Sequence, residues 1–317
     1  MITVGMNTVT QENNTALGNH MFQYSLCRII AEKKGYNFYI PNGESYTFEA
    51  KVKFKNNDLY DLKGKVDIPL NFGNINDIIN NKMSNLENTL SYEILRINKD
   101  SDLMKPGDYL KRCFPNIDLG IKDGDSCYQA SDSSDQSYNP NLFNIPDFTT
   151  LYGFFQTEKY FNGNEDKVRS WFKVNDDINI DDIINKYPID NHCFIHIRGN
   201  DYKLSESWFL PKRYYLDAMD KIRSIKNDIS FVIVTDDIIS SKELFPELDI
   251  ISNDVITDFK ILYSSKYCIA SSSSFSWWAT WLSDKIISIA PNNWLNHNTP
   301  ENGFFPKDIK TNKFIYL

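Results

Sequence analysis

Glycine-rich phosphate loops are missing from this sequence. Neither GxxxxGKS, GxxxxGKT nor GxGxxG can be built from its 13 glycines. That argues against kinase, GTPase and dehydrogenase chemistry, each of which uses such a loop to bring backbone amides onto a phosphate. Cysteine is sparse. Cys27, Cys113, Cys127, Cys193 and Cys268 make five, and no two are spaced as CxxC. An odd number without that spacing argues against a disulfide framework or a zinc knuckle. Reduced, buried thiols fit a cytoplasmic protein. No run of roughly 18 apolar residues occurs, so no transmembrane helix is expected. The opening MITVGMNTVT has neither a basic segment nor a long apolar one, so no signal peptide is expected. Positive charge is in deficit: the net charge is −8. Nonspecific nucleic-acid binding is therefore a poor expectation. An anionic ligand must be held by a few local cations and backbone amides. Internal repeats are absent.

What is present is ordinary globular composition, 317 residues with 41% hydrophobic and 24% charged. That length suits two domains or one large α/β unit. ITVGMN (2–7) reads as a strand. A helix follows from His20 to Glu32, with Phe22, Leu26, Ile29 and Ile30 on one face, and Gly35 ends it. NFYIP (37–41) is the next strand. The chain thus opens β–loop–α–β, the start of an open α/β sheet. Residues 42–150 are less regular, and SDSSDQSYNPN (131–141) reads as an exposed loop. In the second half, HCFIHI (192–197), SFVIVT (230–235), YCIA (267–270) and KIISIA (285–290) are apolar strands of a buried parallel sheet. Helices separate them: one after Pro211 carrying Tyr215, Ala218, Met219 and Ile222, one over 257–265 and one over 274–283. The fold class is α/β, with an N-terminal domain over 1–188 and a second doubly wound domain over 189–317. A cleft between two such domains, at the carboxyl ends of the strands, suits a nucleotide.

Three strands of the second domain end in polar groups. FIHIRGNDY (194–202) runs into His196, Arg198 and Asp201. SFVIVT ends at Asp236 and Asp237. YCIA ends at Ser271, Ser272, Ser273 and Ser274, followed by Phe275. Each has a structural reading: Arg198 and Asp201 as an ion pair, the aspartates as caps of the next turn, the serines as a helix cap. Their coincidence at the strand ends of one domain points to a site. The serines offer hydroxyls and free amides at a helix N-terminus, where phosphate binds. Arg198 offers a planar fork that grips phosphate oxygens. A carboxylate at a neighbouring strand end suits ribose hydroxyls or a guanine N–H edge. Together they describe a nucleotide-diphosphate site without a P-loop. Trp277, Trp278 and Trp281, with Phe275, read as core packing rather than a base-stacking surface. Asp123-Gly124-Asp125 matches the metal-holding DxD pattern but lies in a polar stretch and reads as a turn. The acidic pairs at 176–177 and 181–182 read as solvated helix starts.

These segments resemble the α1,2-fucosyltransferases of glycosyltransferase family 11. LGNHMFQYSLCRIIAEKKG (17–35) looks like the family signature LGNQMFQYAxxRxLA. HIRGND resembles HxRRGD, FVIVTDD resembles the third signature, and DFKILYSSKYCIASSSSFSWWATWLS (258–283) resembles the last. APNNW (290–294) also fits. The resemblance covers both ends of the chain and about half its residues at motif level; residues 42–150 contribute nothing. It implies a GT-B architecture, two facing Rossmann-like domains. It also implies metal-independent, inverting transfer of L-fucose from GDP-β-L-fucose to a galactose-type hydroxyl. By position, Arg198 would bind the β-phosphate. His196 and Asp236 or Asp237 would hold the nucleoside. Ser272, Ser273, Ser274 and Phe275 would wrap the pyrophosphate, and Gly18 and Asn19 would approach the donor from the first domain. The more distant α1,6-fucosyltransferases resemble the chain over HxRxxDxxxxE, which makes Glu206 the candidate general base against a solvated loop glutamate. Asp201 would steer the Arg198 loop or position the acceptor.

The departures are specific. Thr15-Ala16 replace the family's Gly-Gly, His20 its glutamine, and Gly199-Asn200 the Arg-Gly of HxRRGD. The last removes one positive charge from the site. Another GDP-sugar, another linkage, or a non-catalytic glycan- or nucleotide-binding module therefore stand as alternatives. The partners implied are GDP-fucose and a glycan acceptor. The sequence leaves open whether that acceptor is lipid-linked, whether the protein works at a membrane surface, and what its oligomeric state is.

Overall fold

The computed structural model describes residues 2–5, 17–35, 38–39, 51–54, 58–61, 65–67, 128–145, 149–172, 174, 178–200, 202–205 and 207–317. The chain divides into two compact units, Met1–Asn14 with His20–Val168, and Thr15–Asn19 with Arg169–Leu317.

In the first unit β1 (Ile2–Gly5) leads to helix α1 (Leu17–Lys34) and β2 (Phe38–Tyr39). A small antiparallel sheet follows, β3 (Lys51–Phe54), β4 (Asp58–Asp61) and β5 (Lys65–Asp67). Then come β6 (Tyr128–Ser131) and β7 (Thr149–Tyr152). The main sheet has the order β2-β1-β7-β6, and every pairing in it is parallel. The helix α1 starts three residues before the expected His20. Met21 to Cys27 are all buried, so this helix is covered on every side rather than on one stripe. Two of its buried polar groups bond to backbone carbonyls: Gln23 Nε2 donates to the Gly153 carbonyl at 2.6 Å and Ser25 Oγ to the Met21 carbonyl at 2.7 Å. Gly35 ends it at φ +68, the left-handed cap position that a glycine takes without steric cost.

The second unit is built on a six-stranded sheet. After α2 (Glu165–Trp171) and α3 (Asp181–Lys186) the strands are β8 (His192–Ile197), β9 (Ser230–Thr235), β10 (Asp249–Ile251), β11 (Tyr267–Ile269), β12 (Ile287–Ala290) and β13 (Ile315–Tyr316). The intervening helices are α4 (Lys212–Arg223), α5 (Ile238–Leu244), α6 (Val255–Ser264) and α7 (Ser274–Trp281). All pairings are parallel, in the order β10-β9-β8-β11-β12-β13. The strands β8 and β9 start and end where the sequence places them. Each has five consecutive buried residues, because helices cover both faces of a parallel sheet. One face packs Cys193, Ile195 and Ile197 against Ala218, Met219, Ile222 and Phe245.

Side chains explain where two boundaries move. Helix α6 begins two residues early because Asp254 caps it, accepting from the Ile256 and Thr257 amides. Strand β12 begins two residues late. Lys285 turns away to donate to the carbonyls of Leu262 and Ser265 at the carboxyl end of α6, where a cation complements the helix dipole. Burial pulls its pKa down to about 8.

The tryptophans of α7 are core. Trp277, Trp278 and Trp281 are buried, Trp277 and Trp281 stack at 6.0 Å, and the Trp277 indole donates to the Ile309 carbonyl at 3.0 Å. Cys27, Cys193 and Cys268 are buried free thiols, and burial pushes their pKa values up. Cys113, Cys127 and Asp123-Gly124-Asp125 lie outside the described residues. Among the described residues no helix is long and apolar enough to cross a membrane.

Candidate functional site

Strand order decides where the second unit can hold a ligand. Chain progress from β8 runs outward through β9 and β10, then returns to β11 on the other flank of β8. The connection reverses between β8 and β11, and at such a point the crevice beyond the carboxyl ends is open to a ligand. The three polar strand ends converge here. His196 Nδ1 and Ser271 Oγ lie 2.8 Å apart across the reversal. The imidazole is buried, with Phe275 5.4 Å away. Burial, then the Arg198 charge, pulls its pKa down to about 3. It is therefore neutral at physiological pH and acts as a hydrogen-bonding group.

Arg198 and Asp236 form the centre. Arg198 Nη1 donates to Asp236 Oδ2 in an ion pair. The other carboxylate oxygen of Asp236 accepts from the Gly199 amide at 2.9 Å, and its carbonyl accepts from Asn200 Nδ2 at 3.0 Å. One residue at the end of β9 thus holds three consecutive residues at the end of β8. The guanidinium also lies 5.6 Å from the centroid of the Tyr202 ring, whose hydroxyl donates to the Ser272 carbonyl at 2.9 Å.

Asp237 has a different task. It caps α5, accepting from the Ser240 amide at 3.1 Å and the Ser240 hydroxyl at 2.8 Å, and it accepts from Lys203 Nζ at 2.6 Å. Burial pushes its pKa up, but Lys203 and Ser240 outweigh that and hold it below the usual carboxylate value. The capping role weighed for this pair in the sequence is what Asp237 does. It also accounts for Gly199: a Cβ there would stand 2.3 Å from the Asp237 Cβ. No side chain fits, and the arginine of the family pattern has no room on this backbone.

The serine loop is mostly committed to holding itself in place. Ser272 Oγ donates to the Trp294 carbonyl at 3.1 Å, Ser273 Oγ caps α7 by accepting from the Phe275 amide at 3.3 Å, and Ser274 Oγ donates to Asn19 Oδ1 at 2.7 Å. What the loop offers a ligand is the positive end of α7. Gly18 and Asn19 belong to this same unit. A Cβ at Gly18 would lie 2.4 Å from the Ser274 carbonyl carbon, so only glycine lets the start of α1 lie on the loop.

Asp201 and Glu206 lie outside the described residues. Their neighbours are ordered into a turn, with Tyr202 and Lys203 amides donating to the Gly199 carbonyl and Ser205 and Ser207 hydroxyls 2.8 Å apart. Sequence reasoning passed over Tyr202 and Lys203, which complete the clamp. Their signal was adjacency to Arg198, but neither spacing nor composition distinguishes them from solvated loop residues.

Known proteins resemble the chain over most of its length. The chain is 27% identical over 307 residues to the alpha-1,2-colitosyltransferase of Escherichia coli, covering 91% of this chain and 93% of that protein. It is similar to the crystal structure of the NodZ alpha-1,6-fucosyltransferase soaked with GDP-fucose, at 15% identity and a TM-score of 0.41 over 91% of this chain and 94% of that one. It is also similar to POFUT1 in complex with GDP-fucose, at 11% identity and a TM-score of 0.46 over 91% of this chain and 97% of that one. The pattern described as Glycosyl transferase family 11 matches residues 132–317, which take in the whole six-stranded sheet and the clamp at its centre, and the chain, a glycosyltransferase, belongs to that family.

Proposed function

We propose that this glycosyltransferase is an inverting, metal-independent α1,2-fucosyltransferase that moves L-fucose from GDP-β-L-fucose to a galactose-type hydroxyl of a glycan. The observation that carries the reading is the Arg198–Asp236 clamp at the strand reversal, beside the N-terminus of α7. In the reaction the acceptor oxygen attacks C1 of the sugar. The C1–O bond to the β-phosphate breaks, its electron pair stays on the phosphate oxygen, and GDP leaves. Charge therefore grows on the β-phosphate. A cation fixed before the reaction stabilises that growing charge more than it stabilises the ground state. Arg198 is that cation in this proposal, oriented by Asp236. His196 and Asp236 face the nucleoside side, Ser272 to Phe275 the pyrophosphate, with Gly18 and Asn19 holding the loop. In the same proposal Glu206 takes the acceptor proton, and Asp201 steers the Arg198 loop or positions the acceptor. The two facing domains of a GT-B enzyme are part of the same proposal, as is a cytoplasmic setting, with GDP-fucose and a glycan as partners.

A second donor is favoured by one observation. The relative that matches over 91% of this chain is an alpha-1,2-colitosyltransferase. A colitosyl donor used with the same linkage is therefore the alternative. Incubation with GDP-fucose and a panel of galactosides should release GDP and yield an α1,2-linked product. Folded protein that releases none would sink the fucosyl reading, and calorimetry with a panel of GDP-sugars would then identify the donor. Arg198→Ala should lower kcat by roughly 10²–10³, or about 3 kcal/mol, the usual effect of removing one preorganised donor from a developing charge.

A further inference from the structure

Five of the six tryptophans, Trp171, Trp277, Trp278, Trp281 and Trp294, are at most 4% exposed, whereas Trp208 is 40% exposed. An indole is the largest apolar surface a side chain can bury, so its place on the molecule decides what the exposure is for. Trp208 stands at the end of a short series of flat groups. The Arg198 guanidinium lies 5.6 Å from the Tyr202 ring centroid, and the Tyr202 ring lies 5.7 Å from that of Trp208. Tyr202 is fixed by its hydroxyl on the Ser272 carbonyl. The turn that carries Trp208 is fixed as well. The Trp208 and Phe209 amides donate to the Ser205 carbonyl at 3.1 and 3.2 Å, and Asn298 Nδ2 donates to the Phe209 carbonyl at 2.9 Å. The indole is therefore presented on a held turn, one ring beyond the phosphate clamp.

We propose that Trp208 is the platform on which the acceptor saccharide stacks. The inference rests on the glycosyl-transfer reading given above. The acceptor hydroxyl must approach C1 from the side opposite the β-phosphate. A surface for the acceptor therefore belongs beyond the donor sugar as seen from Arg198, and the series Arg198, Tyr202, Trp208 runs from the mostly buried clamp to an exposed ring. A galactose-type ring presents a patch of C–H groups on one face and hydroxyls at its edge. A half-exposed indole matches that pairing, an apolar body with a wet rim. Trp208 would hold the acceptor without taking part in bond breaking, which makes it a binding and specificity residue.

Fluorescence and kinetics test this together. Because the other tryptophans are buried, acrylamide quenching of the wild-type protein reports chiefly on Trp208, and Trp208→Phe removes that component. Lactose added in the presence of GDP should protect the wild-type signal. With GDP-fucose as donor, Trp208→Ala should raise the KM for lactose roughly tenfold or more, Trp208→Phe should recover most of it, and the GDP dissociation constant from calorimetry should change less than about twofold. Absence of protection, an unchanged KM, or GDP affinity lost in parallel with KM would each overturn the platform. If the wild type transfers nothing from GDP-fucose, the donor reading fails separately. Quenching with lactose, N-acetyllactosamine and methyl β-galactoside then decides alone: protection by any of them upholds the platform, and none overturns it.

Discussion

Gly199 is the residue whose meaning changed most. In the sequence it is a lost arginine within an otherwise family-like motif. In the structure it is the only residue that fits, because its absent Cβ leaves the space that the Asp237 Cβ fills at 2.3 Å. Gly199 is also tied through its amide to Asp236, so a push at 199 moves Arg198. Gly199→Ala should therefore weaken GDP binding while the protein stays folded, with a steric cost of about 1–3 kcal/mol. Gly199→Arg, which restores the family's residue type, should weaken it as well. Calorimetry with GDP and a thermal melt of each variant check this, and an arginine variant that binds GDP more tightly would refute the packing argument. The nearby Lys203 does not replace the missing second charge, since its ammonium ion-pairs with Asp237.

At the scale of single elements, long apolar runs were legible and short ones were not. The strands β8 and β9 could be delimited from sequence because five buried residues in a row, four of them apolar in each strand, leave little choice of state. The elements β10, α5 and β13 have three, seven and two residues, too few to show a period. Caps set boundaries that periodicity misplaces. Asp254 caps α6 through two amides and the Thr257 hydroxyl at 2.6 Å. Asp254→Ala should lower stability by about 1 kcal/mol in chemical denaturation and leave GDP affinity unchanged. A loss of GDP affinity in that variant would mean that α6 does more than support the sheet.

Across the whole molecule, buried carboxylates couple stability to pH. Asp132 in the first unit and Asp258 in the second are each pushed up to about 6, by burial first, with hydrogen bonds from Phe155 and Asn253 opposing it. A folded-state pKa above the unfolded one favours the protonated form. The stability these groups contribute is full below the unfolded value near 4 and is lost as pH rises through about 6. Asp237 and Asp254, held below the usual value, act in the opposite sense: their contribution is present above about 4 and is lost as pH falls further. Denaturant midpoints of the wild type and Asp258→Asn between pH 4 and 7 should therefore diverge. The wild type should lose on the order of 1–3 kcal/mol more as pH rises. Parallel curves would show that Asp258 does not titrate in this range.

By itself the sequence determined the α/β class, the two longest strands of the second unit, the three polar strand ends and the family. Each of these depends on local composition, on period or on a contiguous motif, and those survive without knowledge of which strands are neighbours. Tertiary structure decided the rest. The side-by-side order β9-β8-β11 makes the strand ends one site, and interstrand hydrogen bonds that no local pattern encodes set that order. It paired Arg198 with Asp236, 38 positions away, and made Asp237 a cap. It placed Gly18 on the serine loop and left one tryptophan of six facing water beside the clamp. Contacts between residues distant in the chain depend on packing, and packing becomes visible only once the sheet has closed around them.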